Sequence, residues 1–269
     1  MNQNLRRVLA ISRKELITLT SYRINMIMRV INVWYFAISF YFIGEFVGEP
    51  NAIRGMEGGY FQFVLVGSIV TSFAIVGVTS FSSQISEEQS EGTLEAILTT
   101  PTPMWPILAA SFVIPIIFVV IETTVLVVVG MGIFGAGVPV AGLVKSIPLL
   151  FLTTASFAPL GIISAAFIVL VKRGDPFSGP IRQLTLLLSG TLYPVSILPG
   201  WLEAVTKVVP ATYGVRATRD LVQGDAAFSQ TFDEMGILIV FTAVTMPLAV
   251  MAFRRALTTA RRAGTLGTY

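Results

Sequence analysis

The sequence has 269 residues, of which 54% are apolar and only 12% are charged, whereas a soluble domain carries about 25% charged residues. It contains no cysteine and no histidine, which excludes a disulfide framework, imidazole catalysis and His-ligated metal sites. The formal net charge is only +3, and the excess basic residues lie near the ends of apolar segments. This distribution therefore favours orientation in a membrane over nucleic-acid binding.

Residues 1–29 alternate leucine and valine with arginine and lysine. This pattern predicts an amphipathic helix that lies in the membrane surface, with an ordinary solvated helix as the alternative. The apolar run begins too late for a secretory signal, so no cleaved targeting segment is expected.

Six apolar segments predict membrane-spanning helices. The fifth has about 12 residues before a proline, which is short for a full span, so it is expected to begin earlier or to continue into a bent segment. No internal repeat or low-complexity linker divides residues 30–269, which are expected to form one membrane domain. The six segments are 30–47, 60–81, 106–134, 143–171, 181–192 and 235–253.

Lysine and arginine set the orientation. If the N-terminus is cytoplasmic, 13 of the 18 basic residues fall on the cytoplasmic side, which places both termini there. The loop between the second and third segments departs from this trend, because it would be cytoplasmic and yet has no lysine or arginine.

That loop contains an acidic, helix-forming stretch at about 84–100. Leu94, Ile97 and Leu98 form a short apolar stripe on it, which predicts docking in the groove of a partner. Packing of the stripe on the chain's own membrane domain is the alternative. The candidate docking residues are Glu87, Glu88, Glu91, Gly92, Thr93, Leu94, Glu95, Ile97 and Leu98.

Two prolines and two glycines interrupt the apolar stretch at 190–202. Backbone groups freed there cannot face lipid, so we expect a re-entrant hairpin near the outer surface, within a region that extends to residue 224. Such breaks often mark transport pathways, whereas a structured loop without function is the alternative. The candidate pathway residues are Tyr193, Pro194, Pro199, Trp201, Pro210 and Tyr213.

Glu122 lies near the middle of the third apolar segment, where an ionised carboxylate costs about 3 kcal/mol. It is a candidate substrate contact or proton site. A hydrogen bond to a neighbouring helix, helped by Thr123 and Thr124, is the structural alternative. The structural alternative is favoured, because one acid does not make a proton relay.

Catalytic motifs are missing from the sequence. A P-loop requires Gly-Lys before serine or threonine, and no Gly-Lys dipeptide occurs here. There is also no HExxH and no GxSxG. The chain is therefore not expected to be an enzyme or to bind a cofactor or metal. If ATP powers it, ATP and Mg bind to another polypeptide.

The acidic stretch 88–101 and the segment 193–224 together resemble those of the type-2 ATP-binding-cassette (ABC) exporter permeases, with the drug-resistance branch looking closest. The resemblance covers nearly the full length. It implies an all-α membrane protein with an N-terminal interfacial helix, a cytoplasmic coupling helix and an extracellular re-entrant hairpin before the last helix. Gln89 and Ser90 depart from the family, which often has arginine or lysine there.

The resemblance also implies a function and partners. The implied function is export of an amphipathic or hydrophobic substrate, drug-like or lipid-like, across the plasma membrane of a prokaryote. The implied partners are a cognate ATPase subunit and a second permease copy or sister permease. One alternative is export of a polysaccharide or lipid-linked glycan. The chain could also be a secondary transporter or channel that uses Glu122, or a membrane-anchoring subunit.

Overall fold

A computed structural model describes residues 23–48, 59–94, 104–171, 175–224 and 227–262. Within these ranges every regular element is helical, and two short 3₁₀ turns, Val195–Ile197 and Phe228–Thr231, join helices. The α-helices are α1 Arg23–Val47, α2 Gly59–Ser90, α3 Met104–Gly132, α4 Val140–Val171, α5 Ser178–Leu188, α6 Gly200–Thr206, α7 Pro210–Gln223 and α8 Phe232–Arg262.

Five of the described helices, α1, α2, α3, α4 and α8, are long and apolar enough to cross a membrane. The fifth predicted segment, 181–192, corresponds to α5, which has only 11 residues. At 1.5 Å per residue α5 is about 16 Å long, roughly half of a hydrocarbon core of about 30 Å. The all-helical membrane fold is thus confirmed, whereas the six-span topology stays a prediction.

The second predicted segment and the first part of the acidic stretch form one helix. Helix α2 continues beyond residue 81 to Ser90 because no glycine or proline interrupts it before Gly92. Gly92 ends it in a left-handed conformation, with φ of 72°. The amide of Thr93 donates to the Glu88 carbonyl at 3.0 Å and that of Gly92 to Gln89 at 3.1 Å, which is a Schellman cap.

Helix α1 begins before the predicted first span. It runs without a break from Arg23 to Val47, so residues 23–29, assigned from the sequence to the interfacial helix, continue directly into the membrane segment. Residues 1–22 lie outside the described part of the chain. The apolar side chains of α1 are mostly exposed, which places α1 at the periphery, where lipid or another subunit covers it.

Helices α2 and α4 form the centre of the domain. They make the most extensive contact between two helices, and α8 packs on α4 as well, with the Phe253 ring of α8 against Phe81 of α2. Glycine lets the two helices approach closely, because a Cβ at Gly161 would overlap the carbonyl oxygen of Val78. The hydroxyl of Thr154 also donates to the Phe73 carbonyl at 3.0 Å. Small residues and interhelical hydrogen bonds of this kind hold helices together in lipid.

Asp175 anchors the start of α5. Its carboxylate accepts hydrogen bonds from the hydroxyls of Ser164 and Ser178 and from the backbone amide of Ser178. Partial burial opposes ionisation, but these donors outweigh it and lower the pKa of Asp175 to about 2. The Ser178 hydroxyl also lies 3.2 Å from that of Ser82, so α5 begins beside the C-terminal half of α2.

Candidate functional site

A polar groove lies between α1, α2, α3 and α5. It consists of two cavities of about 480 and 540 Å³. Four residues, Arg29, Ser72, Glu122 and Arg182, line both cavities and make them one continuous space. Three of the four are charged, and each comes from a different helix.

One face of α2 forms the wall of the groove. Its polar residues are spaced by four or seven positions, so that they share one side of the helix. They run from the N-terminal half of α2 to its acidic end, over about 28 Å at 1.5 Å per residue. The sequence singled out only the last of these wall residues, and as a docking residue; they are Ser68, Ser72, Thr79, Ser83 and Glu87.

Glu122 forms an ion pair inside the groove. Its Oε1 lies 2.7 Å from Nη1 of Arg29, and the same guanidinium lies 4.9 Å from the ring centroid of Phe118. The side chains are 30% and 47% exposed, respectively, so the groove hydrates both. Thr123 and Thr124 do not help, because their hydroxyls bond to carbonyls within α3. The predicted contact to a neighbouring helix is therefore present, with an arginine as the partner.

Arg182 is the third charge in the groove. It lies one turn into α5, is exposed to the groove, and lines both cavities. Within the described part of the chain it has no ion-pair partner. The membrane-depth part of the groove thus contains a neutralised pair and one additional cation.

The predicted docking residues occupy the C-terminal end of α2, as far as the structure describes them. Glu87, Glu91 and Gly92 are exposed, whereas Glu88 is buried and accepts a hydrogen bond from the Thr93 hydroxyl. Leu94 is only 1% exposed and packs in a cluster with Phe81 and Ile85 of the same chain. In this conformation the stripe therefore begins inside the membrane domain, as the alternative interpretation expected. Glu95, Ile97 and Leu98 lie outside the described residues.

The candidate pathway residues lie in the irregular region after α5 and do not line the groove. Trp201 is 70% exposed, and Pro194 and Pro199 precede the 3₁₀ turn and α6. Pro210 begins α7. The Tyr193 hydroxyl donates to the Leu187 carbonyl and that of Tyr213 to the Lys207 carbonyl, at 2.7 and 2.8 Å. Both tyrosines therefore stabilise the local backbone through these hydrogen bonds.

Arg219 of α7 ties this region to α2. Its guanidinium donates to the carbonyls of Phe63 and Thr191 at 3.0 and 3.2 Å and lies 3.5 Å from the centroid of the Phe63 ring. The hydroxyl of Thr191 in turn bonds to that of Thr71. A Cβ at Gly67 would lie 2.8 Å from the guanidinium, so the close approach requires glycine.

A bundle of long apolar helices around a polar groove defines the chain as a membrane permease domain. The chain belongs to the ABC-2 type transporter family, which matches residues 6–222. Membership identifies the membrane domain of a transporter.

Among the relatives is the "Probable multidrug ABC transporter permease YbhR" of Escherichia coli, 26% identical over 203 residues, which cover 72% of this chain and 53% of YbhR. "Inner membrane transport permease YhhJ" of Escherichia coli is 25% identical over 218 residues, covering 78% and 55%. "ABC transporter G family member 20" of Dictyostelium discoideum is 29% identical over 181 residues, covering 65% and 23%. The chain thus spans about half the length, or less, of these relatives.

Proposed function

We propose that this chain is the permease subunit of an ATP-driven exporter, which moves an amphipathic or hydrophobic substrate out across the plasma membrane. The single observation that carries this proposal is the groove, which runs along α2 from an acidic cytoplasmic end to the charged centre of the bundle. A polar path that deep in an apolar domain is costly. A transport role accounts for that cost.

The force would come from a separate ATPase that binds ATP and Mg, because this sequence has no P-loop. Helix α2 is continuous over 32 residues. A push on its exposed cytoplasmic residues would therefore reach the groove wall without crossing a hinge. Docking would use Glu87, Ser90, Glu91 and Gly92, which are exposed, together with the stretch 95–100 beyond them. A second copy or sister permease would close the path.

The region after α5 would form the outer re-entrant hairpin. The first turn of α7 packs near Ala74 and Val78, and its last turns lie near Phe63. Ala74 and Phe63 are 11 residues apart, about 16 Å along α2. Since α2 is a candidate span, α7 would return into the outer half of the membrane and seal the groove from outside.

The docking proposal is tested by charge reversal at the end of α2. Because Leu94 is buried, L94D would disturb the fold, so the sharper variant is E87R/S90R, at two exposed positions. We expect at least tenfold weaker co-purification with the cognate ATPase, and a matching loss of ATP turnover in the complex. The control is E203R, an exposed glutamate on α6, which should leave both unchanged. Undiminished assembly of E87R/S90R would contradict docking at this end.

The pair of Arg29 and Glu122 bears on the alternative of a channel or secondary transporter. An ion site built on Glu122 needs a carboxylate available to a cation, whereas here Arg29 already neutralises it at 2.7 Å. The exporter is therefore the function that the groove supports best. Substrate movement in proteoliposomes that contain this chain without any ATPase would favour the alternative.

A further inference from the structure

The charges of the groove are segregated along its length. At membrane depth Arg29, Glu122 and Arg182 converge, and pairing of the first two leaves one net positive charge. The other acidic residues of the groove, Glu87, Glu88 and Glu91, lie at the acidic end of α2. A substrate at membrane depth would therefore lie beside one unpaired cation.

Distance limits the influence of the acidic end on the deep part. Helix α5 begins beside Ser82, and Thr191 after its end contacts Thr71. Arg182 therefore lies about 13 Å from Glu87 along α2. Charges in water are screened over about 8 Å at physiological ionic strength. Glu88 also already accepts the hydroxyl of Thr93. The local balance around Arg182 therefore decides which headgroup is stable at membrane depth.

We infer that the groove selects amphiphiles with one anionic headgroup, a phosphate monoester or carboxylate, which Arg182 binds while Arg29 stays paired with Glu122. This inference rests on the proposed export function and specifies its substrate class. Arginine presents several donors in a fork that matches these oxyanions. Ser72 lines the same cavity, and its hydroxyl offers a further donor.

The remainder of the groove fits the apolar part of such a molecule. Val33, Phe36, Val76 and Phe118 line it beside the charged residues. A headgroup at Arg182 would thus leave its tail against apolar side chains and the lipid beyond α1. A cationic amphiphile of equal size would place like charge against Arg182, which costs more at membrane depth than in water.

Binding of three amphiphiles with one tail tests the headgroup preference. The full-length chain, with any subunits that remain bound, is placed in lipid nanodiscs and titrated with radiolabelled decyl phosphate, decyl maltoside or decyltrimethylammonium, and empty nanodiscs are subtracted. We expect decyl phosphate to bind at least tenfold more tightly than decyltrimethylammonium. Inorganic phosphate, which lacks a tail, should not compete. Equal or tighter binding of the cation overturns the inference, as does competition by inorganic phosphate at the same concentration.

Variants then assign the preference to one residue. R182Q should weaken decyl phosphate binding roughly tenfold, the loss of one charge-assisted hydrogen bond, and should remove the headgroup preference. R182K should retain most of the headgroup preference, because it keeps the positive charge. R216Q, at an exposed arginine of α7, should behave as wild type. Unchanged decyl phosphate binding in R182Q overturns the role of Arg182. The headgroup ranking needs only the wild-type chain, so a misfolded variant leaves that test intact.

Transport measured on the reconstituted permease and ATPase separates the two proposals. Anionic binding without ATP-driven movement would contradict export and leave the headgroup inference in place. ATP-driven movement of decyltrimethylammonium, with no preference for decyl phosphate, would contradict the headgroup inference and leave export in place.

Discussion

At the scale of single residues, the pair of Arg29 and Glu122 shows how a charged residue is tolerated in an apolar segment. Neither side chain is fully buried, so their mutual attraction is screened and each retains some hydration from the groove. Isolated in lipid, either charge would be costly. Pairing therefore stabilises the contact between α1 and α3, and it keeps the groove polar while Arg29 compensates the charge of Glu122.

Replacing one partner of this pair should lower the free energy of unfolding more than swapping the two residues. R29Q and E122Q are each expected to lower the free energy of unfolding by about 1 kcal/mol, because one charge is left without its partner in a partly hydrated site. The swapped variant R29E/E122R should recover about half of that loss. Thermal unfolding in detergent of the wild type, R29Q, E122Q and R29Q/E122Q gives the four values of a double-mutant cycle, and the swapped variant is measured beside them.

The control for that cycle is T123V, which removes a hydroxyl that bonds only within α3. It should change stability little and should not couple to R29Q. Additive losses in the Arg29 and Glu122 variants, with no recovery on exchange, would contradict a stabilising pair.

At the scale of elements, the contact between α2 and α4 holds the groove wall in place. Gly77 and Gly161 lie where the two helices approach most closely, and a Cβ at either position would overlap the other helix. In lipid, where apolar side chains gain little by leaving their solvent, such close packing and the bond from Thr154 to Phe73 are the main sources of helix association. Displacing α4 would therefore move α2 and widen the groove.

The variant G161V should be strongly destabilised, by about 3 kcal/mol or more, because the added side chain meets backbone atoms that cannot move aside. The measurement is the yield of monodisperse protein and its unfolding temperature in detergent. The matched control is G236V on α8, where an added Cβ meets no neighbour. Equal behaviour of the two valine variants would show that the helices do not need glycine at their contact.

At the scale of the whole molecule, the charge distribution predicts cytoplasmic termini and a cytoplasmic end of α2. The sequence has no cysteine, so single-cysteine variants label without background. In intact cells, a membrane-impermeant maleimide should leave S90C unlabelled and should label E203C, since both positions are exposed but lie at opposite ends of the domain. After the cells are opened, S90C should react. Labelling of S90C in intact cells would overturn the orientation and, with it, docking of an ATPase at this end.

The amino-acid sequence by itself determined the helical membrane class, the positions of the long apolar helices and the family, because length and hydropathy are local properties that lipid selects directly. It also located Glu122 as a costly charge. It could not find Arg29 as the partner, 93 positions away, nor the polar face of α2 as a groove wall. Those features depend on which helix faces which, and packing in lipid decides that through glycine contacts and interhelical hydrogen bonds rather than through any periodic pattern. The same reason applies to the packing of Leu94. Its apolar stripe could pack on a partner or on its own bundle, and only the tertiary structure places Leu94 against Phe81 and Ile85.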